Sequence, residues 1–280
     1  MIRKVMAVLI LFLAAINSQA DPVCTRAELQ TAVDSYLQAQ AKGKINSMAL
    51  AEDATFLENM IEVNIADGLW NTALPIAFSR SFLDTTRCRT FSEVIVTEGG
   101  HKYVIGTRLY VNGGKITRID SLVTDKGDWL FNADAYLKYS SAEDWGAPPE
   151  SKHTPAGDLI NAANNYLDFF SDRHVEAPWG RPCARLEGGA YTNADNDPNP
   201  SCQVGAPQGF LYIVNRDYVV DEEMGVINVF CRFGDSKTGM PDSHTIRMVD
   251  GKIHQVHTLS VNLNPDRPLP QATAEGRIAR

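Results

Sequence analysis

The fold is decided by a pattern that occurs twice, VNGGKITRIDSLV at residues 111–123 and VDGKIHQVHTLSV at residues 249–261. Each copy starts with a glycine turn and continues as a strand, which is typical of the second half of a β-hairpin. One gap aligns the two copies and sets Asp120 against His257. Because the pattern recurs far along the chain, it predicts an internal duplication.

Two further segments recur in the same order ahead of this hairpin. AVDSYLQAQ at residues 32–40 matches AANNYLDFF at residues 162–170, and both have the apolar spacing of a helix. TFLEN at residues 55–59 roughly matches ARLEG, which sets Glu58 against Glu187. A unit of about 120 residues that begins with a helix and ends with a hairpin therefore occurs twice.

This order of elements predicts an α+β fold with two similar domains in tandem. In each domain an N-terminal helix is expected to pack on a curved antiparallel sheet. The composition shift at Gly146-Ala-Pro-Pro149 marks the linker between them. The expected divisions are a signal peptide at 1–20, a first domain at 21–146, a linker at 147–155, a second domain at 156–263 and a disordered C-terminal tail at 264–280.

The first 20 residues have the pattern of a secretory signal peptide. Two basic residues precede the apolar run 5–16, and Ser18-Gln19-Ala20 forms a small-x-small cleavage site. Cleavage there removes two basic residues and no acidic residue, so the net charge changes from −8 to −10. Such an acidic chain is a poor partner for nucleic-acid phosphates. We therefore expect a secreted protein that binds no nucleic acid and has no membrane segment after cleavage.

Five cysteines follow the signal peptide, which favours disulfides in an oxidising compartment. Cys231 lies in the apolar run 226–233 and is predicted to be a buried free thiol. The other four cysteines permit three connectivities, of which we favour Cys24–Cys88 and Cys183–Cys202. The second of these bonds would close a loop of about 20 residues and contribute about 3 kcal/mol.

Strand alternation predicts the faces of the candidate acid–base residues. On the strand at 252–261, His257 shares a mostly apolar face with Ile253, which we expect the helix to cover. The duplication places Asp120 in the same way in the first domain, and His244 shares the apolar face of its own strand. Ionisable groups on such a face have perturbed pKa values and act as general acids or bases. The structural alternative is a core residue satisfied by hydrogen bonds.

Arg185, Glu187 and Tyr191 are candidate partners from the cysteine-closed loop. Arg185 and Glu187 are two residues apart and share one face of a strand, so they form either an ion pair that supports the loop or the mouth of a pocket. HExxH, CxxC, GxSxG and phosphate-loop motifs are missing from the sequence. The spacing of Asp242 and the two histidines fits no familiar metal motif, and we expect neither a cofactor nor a metal.

Seven short segments carry a family resemblance: CTR at 24–26, ADGLWNTA at 66–73, GDWLFN at 127–132, EDWG at 143–146, PWGRPCARLEGGAY at 178–191, YVVDEE at 218–223 and PDSH at 241–244. Through them the chain resembles an uncharacterised family of secreted fungal proteins with two tandem nuclear transport factor 2-like, or SnoaL-like, domains. The resemblance implies a cone-shaped fold that hosts isomerases, dehydratases, epoxide hydrolases, polyketide cyclases and binding modules.

Our first hypothesis is a secreted, cofactor-independent enzyme that acts by acid–base chemistry on a small apolar metabolite in secondary metabolism. The reaction would be an isomerisation, dehydration, cyclisation or lysis, with His257 or His244 as the base. The competing hypothesis is a secreted small-molecule binding or scaffold protein without turnover. The expected partner is a small-molecule ligand or substrate, and assembly as a homodimer is left open.

Overall fold

The protein is described in a computed structural model that covers residues 24–172, 174–203, 211–264 and 266–278. The predicted signal peptide lies outside these residues. Within them, no helix has the length and apolar character needed to cross a bilayer.

Each half of the chain begins with one long helix and continues as a six-stranded sheet. The first half contains α1 (Arg26–Lys42), β1 (Leu50–Glu58), β2 (Ile61–Val63), β3 (Ile76–Asp84), β4 (Arg89–Val96), β5 (Tyr103–Asn112), β6 (Lys115–Thr124) and α2 (Ala133–Ser140). The second half contains α3 (Ala156–Asp168), β7 (Trp179–Glu187), β8 (Ala190–Tyr191), β9 (Ile213–Asp221), β10 (Val226–Phe233), β11 (Met240–Val249) and β12 (Lys252–Ser260).

Local sequence signals determine where α1 begins and ends. The Thr25 side chain accepts a hydrogen bond from the backbone N–H of Glu28, and the Glu28 carboxylate accepts one from the backbone N–H of Thr25. This capping box satisfies donors at the helix start. Gly43 ends the helix in the left-handed conformation, with φ of 64°. The apolar face of α1 is buried and includes Leu29 and Tyr36, which pack on the sheet.

The two sheets have the same strand order, which confirms the duplication and the α+β fold. The orders are β2-β1-β6-β5-β4-β3 and β8-β7-β12-β11-β10-β9. Neighbouring strands are antiparallel except in the β1–β6 and β7–β12 pairs, which are parallel. Each sheet therefore contains one parallel strand pair and differs there from the antiparallel sheet expected from the sequence. Parallel neighbours require a long connection, and the intervening strands of each domain supply it.

A β-bulge at the same place in each sheet decides which face the candidate residues occupy. The register shifts by one residue within the β5–β6 pair and, at the equivalent place, within the β11–β12 pair. His254 is the extra residue on β12, and it reverses the alternation beyond it. Ile253 therefore packs beside α3, whereas His257 faces the first domain. The predicted helix-covered position of His257 is wrong, and the same prediction for Asp120 fails because of the equivalent bulge on β6.

The two sheets pack against each other through the faces turned away from α1 and α3. Two apolar clusters combine residues of both domains, including Ile95, Val104, Leu186 and Leu259 in one and Phe91, Leu122, Val226 and Phe230 in the other. Arg108 of β5 is fully buried there, and its Nε donates to Asn228 Oδ1 at 2.9 Å. The domains consequently share a core that the duplication alone does not predict.

Both predicted disulfides are confirmed. Cys24 bonds to Cys88 and Cys183 bonds to Cys202, with Cα–Cα distances of 5.4 and 5.1 Å. Cys231 is a buried free thiol, as expected. The two bonds are typical of proteins that fold in an oxidising compartment.

The prediction of a disordered tail at 264–280 is wrong for its described residues. The backbone N–H of Leu130 donates to Pro270 O, and that of Tyr191 donates to Gly276 O, both at 2.8 Å. Ala272 is buried and forms a β-bridge with Ile278. The tail is ordered because its backbone groups pair with both domains, a contact that its polar composition does not reveal.

Candidate functional site

A partly open cavity lies on the face of the second domain's sheet that α3 also covers, next to Phe170, which follows that helix. Its volume is about 40 Å³, which accommodates roughly three water molecules or a few ligand atoms. Aromatic and aliphatic side chains form its walls, and hydrogen-bonding side chains form its floor. The lining residues are Trp129, Phe170, Glu187, Phe233, Met240, Asp242, His244, Thr258 and Ser260.

The floor of the cavity is a buried carboxylate–imidazole pair on β11. Asp242 and His244 are two residues apart and point to the same face, and His244 Nε2 lies 2.8 Å from Asp242 Oδ2. Directly across the ladder, Ser260 Oγ donates to Asp242 Oδ1 at 2.7 Å, and Thr258 Oγ1 lies 3.2 Å from His244 Nδ1. The His244 ring also contacts the aromatic ring of Tyr166 from α3. The pair is thereby held in one orientation.

A second charged pair borders the same cavity. The Arg185 guanidinium is buried and makes an ion pair with Glu187, which lines the cavity. Burial alone would lower the pKa of Arg185, but Glu187 and Tyr166 outweigh it and hold that pKa above its usual value. Burial raises the pKa of Tyr166, so its hydroxyl stays neutral. The ion pair, which was one of the two alternatives from the sequence, is therefore present, and its carboxylate lines the cavity.

Cys231 on β10 brings a third metal-ligating group to the floor. Its Sγ lies 4.0 Å from Asp242 Oδ2, and one ligand atom from each of Cys231, Asp242 and His244 lies within 4.8 Å of the others. Burial, followed by the charge of Asp242, raises the pKa of the Cys231 thiol well above its usual value. These three side chains could hold a metal ion. His257 is not part of this group.

The first domain has no such groups at the equivalent positions. Register pairs match Thr107 and Ser121 of the first domain to His244 and Thr258 of the second. Tyr36 Oη is 2.8 Å from Thr107 Oγ1, which is 2.9 Å from Ser121 Oγ, and apolar side chains fill the remaining space. The same register matches Ile105 to Asp242 and Phe56 to Arg185. At these positions the ionisable Arg185, Asp242 and His244 of the second domain therefore have non-ionisable counterparts in the first.

His257 lies in the domain interface and not in the cavity. Its Nδ1 donates to Glu93 Oε2 at 2.9 Å, and its Nε2 donates to Glu143 Oε2 at 2.6 Å. Burial alone would lower the pKa of His257, but the two carboxylates outweigh it and raise the pKa to about 9. Burial would raise the pKa of Glu93, but His257 and Arg80 lower it to about 2. His257 is thus a buried cation between two anions.

The structure also places Asp120 and Tyr191 away from the cavity. Arg118 binds both oxygens of Asp120, at 2.6 and 2.7 Å, on the face turned toward the second domain. The Tyr191 ring stacks on Tyr139 of α2, with ring centroids 4.3 Å apart. Of the six candidate residues from the sequence, His244 and Glu187 line the cavity, and Arg185 contacts it through its ion pair with Glu187.

Sequence reasoning missed residues whose partners lie on a neighbouring strand or in the other domain. Cys231 was treated only as an inert thiol, although its strand partner is Asp242. Glu93 and Glu143 were not identified, because they come from the first domain and meet His257 only after the domains pack. The spacing of Asp242 and His244 on one strand was the one local signal that could have identified the floor.

A known family model matches the second half of the chain. Residues 152–260 match a family model described as "Domain of unknown function (DUF8021)". No curated protein matches the chain.

Solved structures of low sequence identity match part of the chain. One is an NTF-2 like protein of unknown function from Burkholderia xenovorans LB400, with 13% identity and a TM-score of 0.30, covering 42% of this chain and 94% of that one. Another is an NTF2-like protein of unknown function from Shewanella baltica OS155, with 11% identity and a TM-score of 0.27, covering 36% of this chain and 94% of that one.

Proposed function

We propose that the second domain binds a small, largely apolar molecule and transforms it by acid–base chemistry. The reaction is an isomerisation, dehydration, cyclisation or lysis, and proton transfer takes place at Asp242 and His244. One observation carries this proposal, which is the contrast between the two copies. A core needs neither a buried carboxylate nor a buried imidazole, and the first domain fills the same positions with Ile105 and Thr107.

The cavity supports this chemistry through its contrast between walls and floor. Phe170, Phe233 and Met240 offer apolar contact to a ligand, while the floor offers a base that a carboxylate orients. Such a pair contributes typically about 10²–10⁴-fold in rate.

The proposal includes secretion. Two disulfides support folding in an oxidising compartment. The charge and hydropathy pattern of the first 20 residues supports export through a signal peptide cleaved near Ala20.

Deuterium incorporation tests the proposed chemistry without a known substrate. The purified protein is incubated in D₂O with a library of small apolar ketones, enones and secondary alcohols, and mass spectrometry records mass shifts and new products. We expect turnover by the wild type and its loss, by about 10²-fold or more, in His244→Gln. His174→Gln is the matched control because its side chain is 84% exposed. Equal turnover by the wild type and a folded His244→Gln would contradict the proposal.

A second candidate function is small-molecule binding without turnover. Both ring nitrogens of His244 already have partners, and the cavity of about 40 Å³ holds only a small group. Saturable binding of a library compound, with no deuterium incorporation and no product, would favour this function over the first.

A further inference from the structure

The floor of the cavity combines three side chains whose donor atoms suit one class of metal ion. Cys231, Asp242 and His244 offer sulfur, oxygen and nitrogen, a set that borderline-soft divalent ions such as Zn²⁺ accept. All three side chains are buried, with exposures of 0%, 0% and 2%. They come from adjacent strands of a paired sheet, so their backbones are fixed.

The distances between the donor atoms fit a tetrahedral ion after small side-chain movements. Zinc–ligand bonds of 2.0–2.3 Å place ligand atoms of a tetrahedron about 3.4–3.8 Å apart. The distance from Asp242 Oδ2 is 2.8 Å to His244 Nε2 and 4.0 Å to Cys231 Sγ. The first distance must lengthen and the second must shorten, each by about half an ångström.

Two hydroxyl groups on the neighbouring strand β12 already orient the donors. Ser260 donates to Asp242 Oδ1, which leaves Oδ2 for the ion. Thr258 contacts His244 Nδ1, which leaves Nε2 for the ion. Metal-ligating histidines and carboxylates are generally held by such partners, which fix the ring orientation and the tautomer. The site therefore has supporting contacts as well as candidate ligands.

The internal duplication provides an independent observation. The strand register matches Cys231, Asp242 and His244 to Val94, Ile105 and Thr107 of the first domain. The first domain therefore builds the same sheet with no metal-ligating side chain at these positions. Packing does not require a thiol, a carboxylate and an imidazole together, yet the second domain has all three. The two domains therefore differ at the three positions whose side chains would bind the metal ion.

We propose that Cys231, Asp242 and His244 bind one divalent transition-metal ion of the Zn²⁺ class, with a fourth coordination position open to the cavity. This inference rests on the proposed function in one respect, since it concerns the same pocket. It adds that the floor performs proton transfer through a water molecule held on the ion. Asp242 and His244 line the cavity while Cys231 lies beneath it, so the open position faces the ligand.

Cobalt titration tests the site with a signal that only Cys231 can produce. All other cysteines are in disulfides, so a thiolate-to-Co²⁺ absorption band reports this residue alone. The full mature chain is treated with chelator, kept without reductant and titrated with CoCl₂, then with ZnCl₂. We expect one equivalent of Co²⁺ with a thiolate band, and displacement of Co²⁺ by Zn²⁺.

Variants connect the signal to the three ligands. Cys231→Val, the residue that the first domain has there, should remove the thiolate band. His244→Gln should weaken Co²⁺ binding at least tenfold, and His174→Gln should leave it unchanged. Absence of the band in the wild type, or its survival in Cys231→Val, overturns the inference. If Cys231→Val fails to fold, the wild-type spectrum alone decides, because the chain has no other thiol.

The same proteins separate this inference from the proposed function. If Co²⁺ does not bind but His244→Gln still abolishes deuterium incorporation, the metal inference fails and the acid–base function stands. If Co²⁺ binds as expected but no library compound is transformed or exchanged, the metal site stands and the enzymatic function fails.

Discussion

Removal of the charge on His257 should make the protein less stable and change the dependence of its stability on pH. His257 lies between Glu93 of β4 and Glu143, which follows α2. The ring also contacts Tyr136 and Trp145, and Arg80 of β3 lies 3.7 Å from Glu93. Two cations thus balance two carboxylates within a buried part of the domain interface. In His257→Gln one of these carboxylates loses its counter-charge.

The size of the effect follows from the folded-state pKa of His257. That pKa is raised from 6.5 to about 9, which corresponds to about 3 kcal/mol at most. Because the folded pKa is above the unfolded one, this stabilisation is fully present below pH 6.5. It is lost as the pH rises from 6.5 through about 9. Breaking a buried ion pair by removing one partner costs about 3–5 kcal/mol, so His257→Gln should be destabilised by a similar amount at pH 6.

Urea denaturation at a series of pH values from 6 to 10 measures this effect. The wild type should lose about 3 kcal/mol of unfolding free energy over this range relative to His257→Gln. His101→Gln is the control, since its imidazole pairs with Asp125 at an exposed site. If the difference in unfolding free energy between the wild type and His257→Gln is the same at pH 6 and pH 10, the charged network described here does not stabilise the interface.

Three further outcomes are expected. Cys24→Ser should lower the unfolding free energy by about 4 kcal/mol and Cys183→Ser by about 3 kcal/mol, because the first bond closes the longer loop. Urea denaturation without reductant measures both losses, and equal losses would show that loop length does not matter. Gly188→Ala should lower the unfolding free energy by about 1–3 kcal/mol and perturb Trp129 fluorescence, since Gly188 has φ of +60° and an added Cβ would lie 2.2 Å from Trp129 O. An unchanged emission spectrum together with an unchanged melting temperature would contradict this. Arg108→Met should lower the unfolding free energy by about 3–5 kcal/mol, because the fully buried Arg108 guanidinium donates a hydrogen bond to Asn228 across the domain interface. An unchanged unfolding free energy would show that the interface does not depend on this guanidinium.

The duplication has a chemical consequence for how the two domains divide their roles. The first domain uses Tyr36, Thr107 and Ser121 as a small hydroxyl network within an apolar core. The second domain uses the same positions to present an imidazole and its partners to a cavity. The first domain also supplies Trp129 to the cavity wall, so it contributes to the pocket as well as to the shared core.

The sequence by itself determined what depends on local pattern. Capping residues and apolar spacing predicted α1, and the recurrence of one hairpin predicted two domains with the same strand order. The order of the cysteines along the chain predicted both disulfides, each of which joins two successive cysteines. His244 was identified because it shares the apolar face of a strand, and Arg185 and Glu187 because they lie two residues apart in the cysteine-closed loop. Each of these inferences concerns neighbours in the chain or a repeat of them.

Only the tertiary structure decided which face each residue occupies and what lies opposite. A single extra residue at His254 reverses the alternation of β12, and strand parity cannot detect a bulge. The partners of His257 come from residues more than 100 positions away, because the sheets pack face to face. The meeting of Cys231 with Asp242 and His244 likewise depends on strand register. Alternation gives a side chain two choices of face, and only long-range packing selects one and supplies its partners.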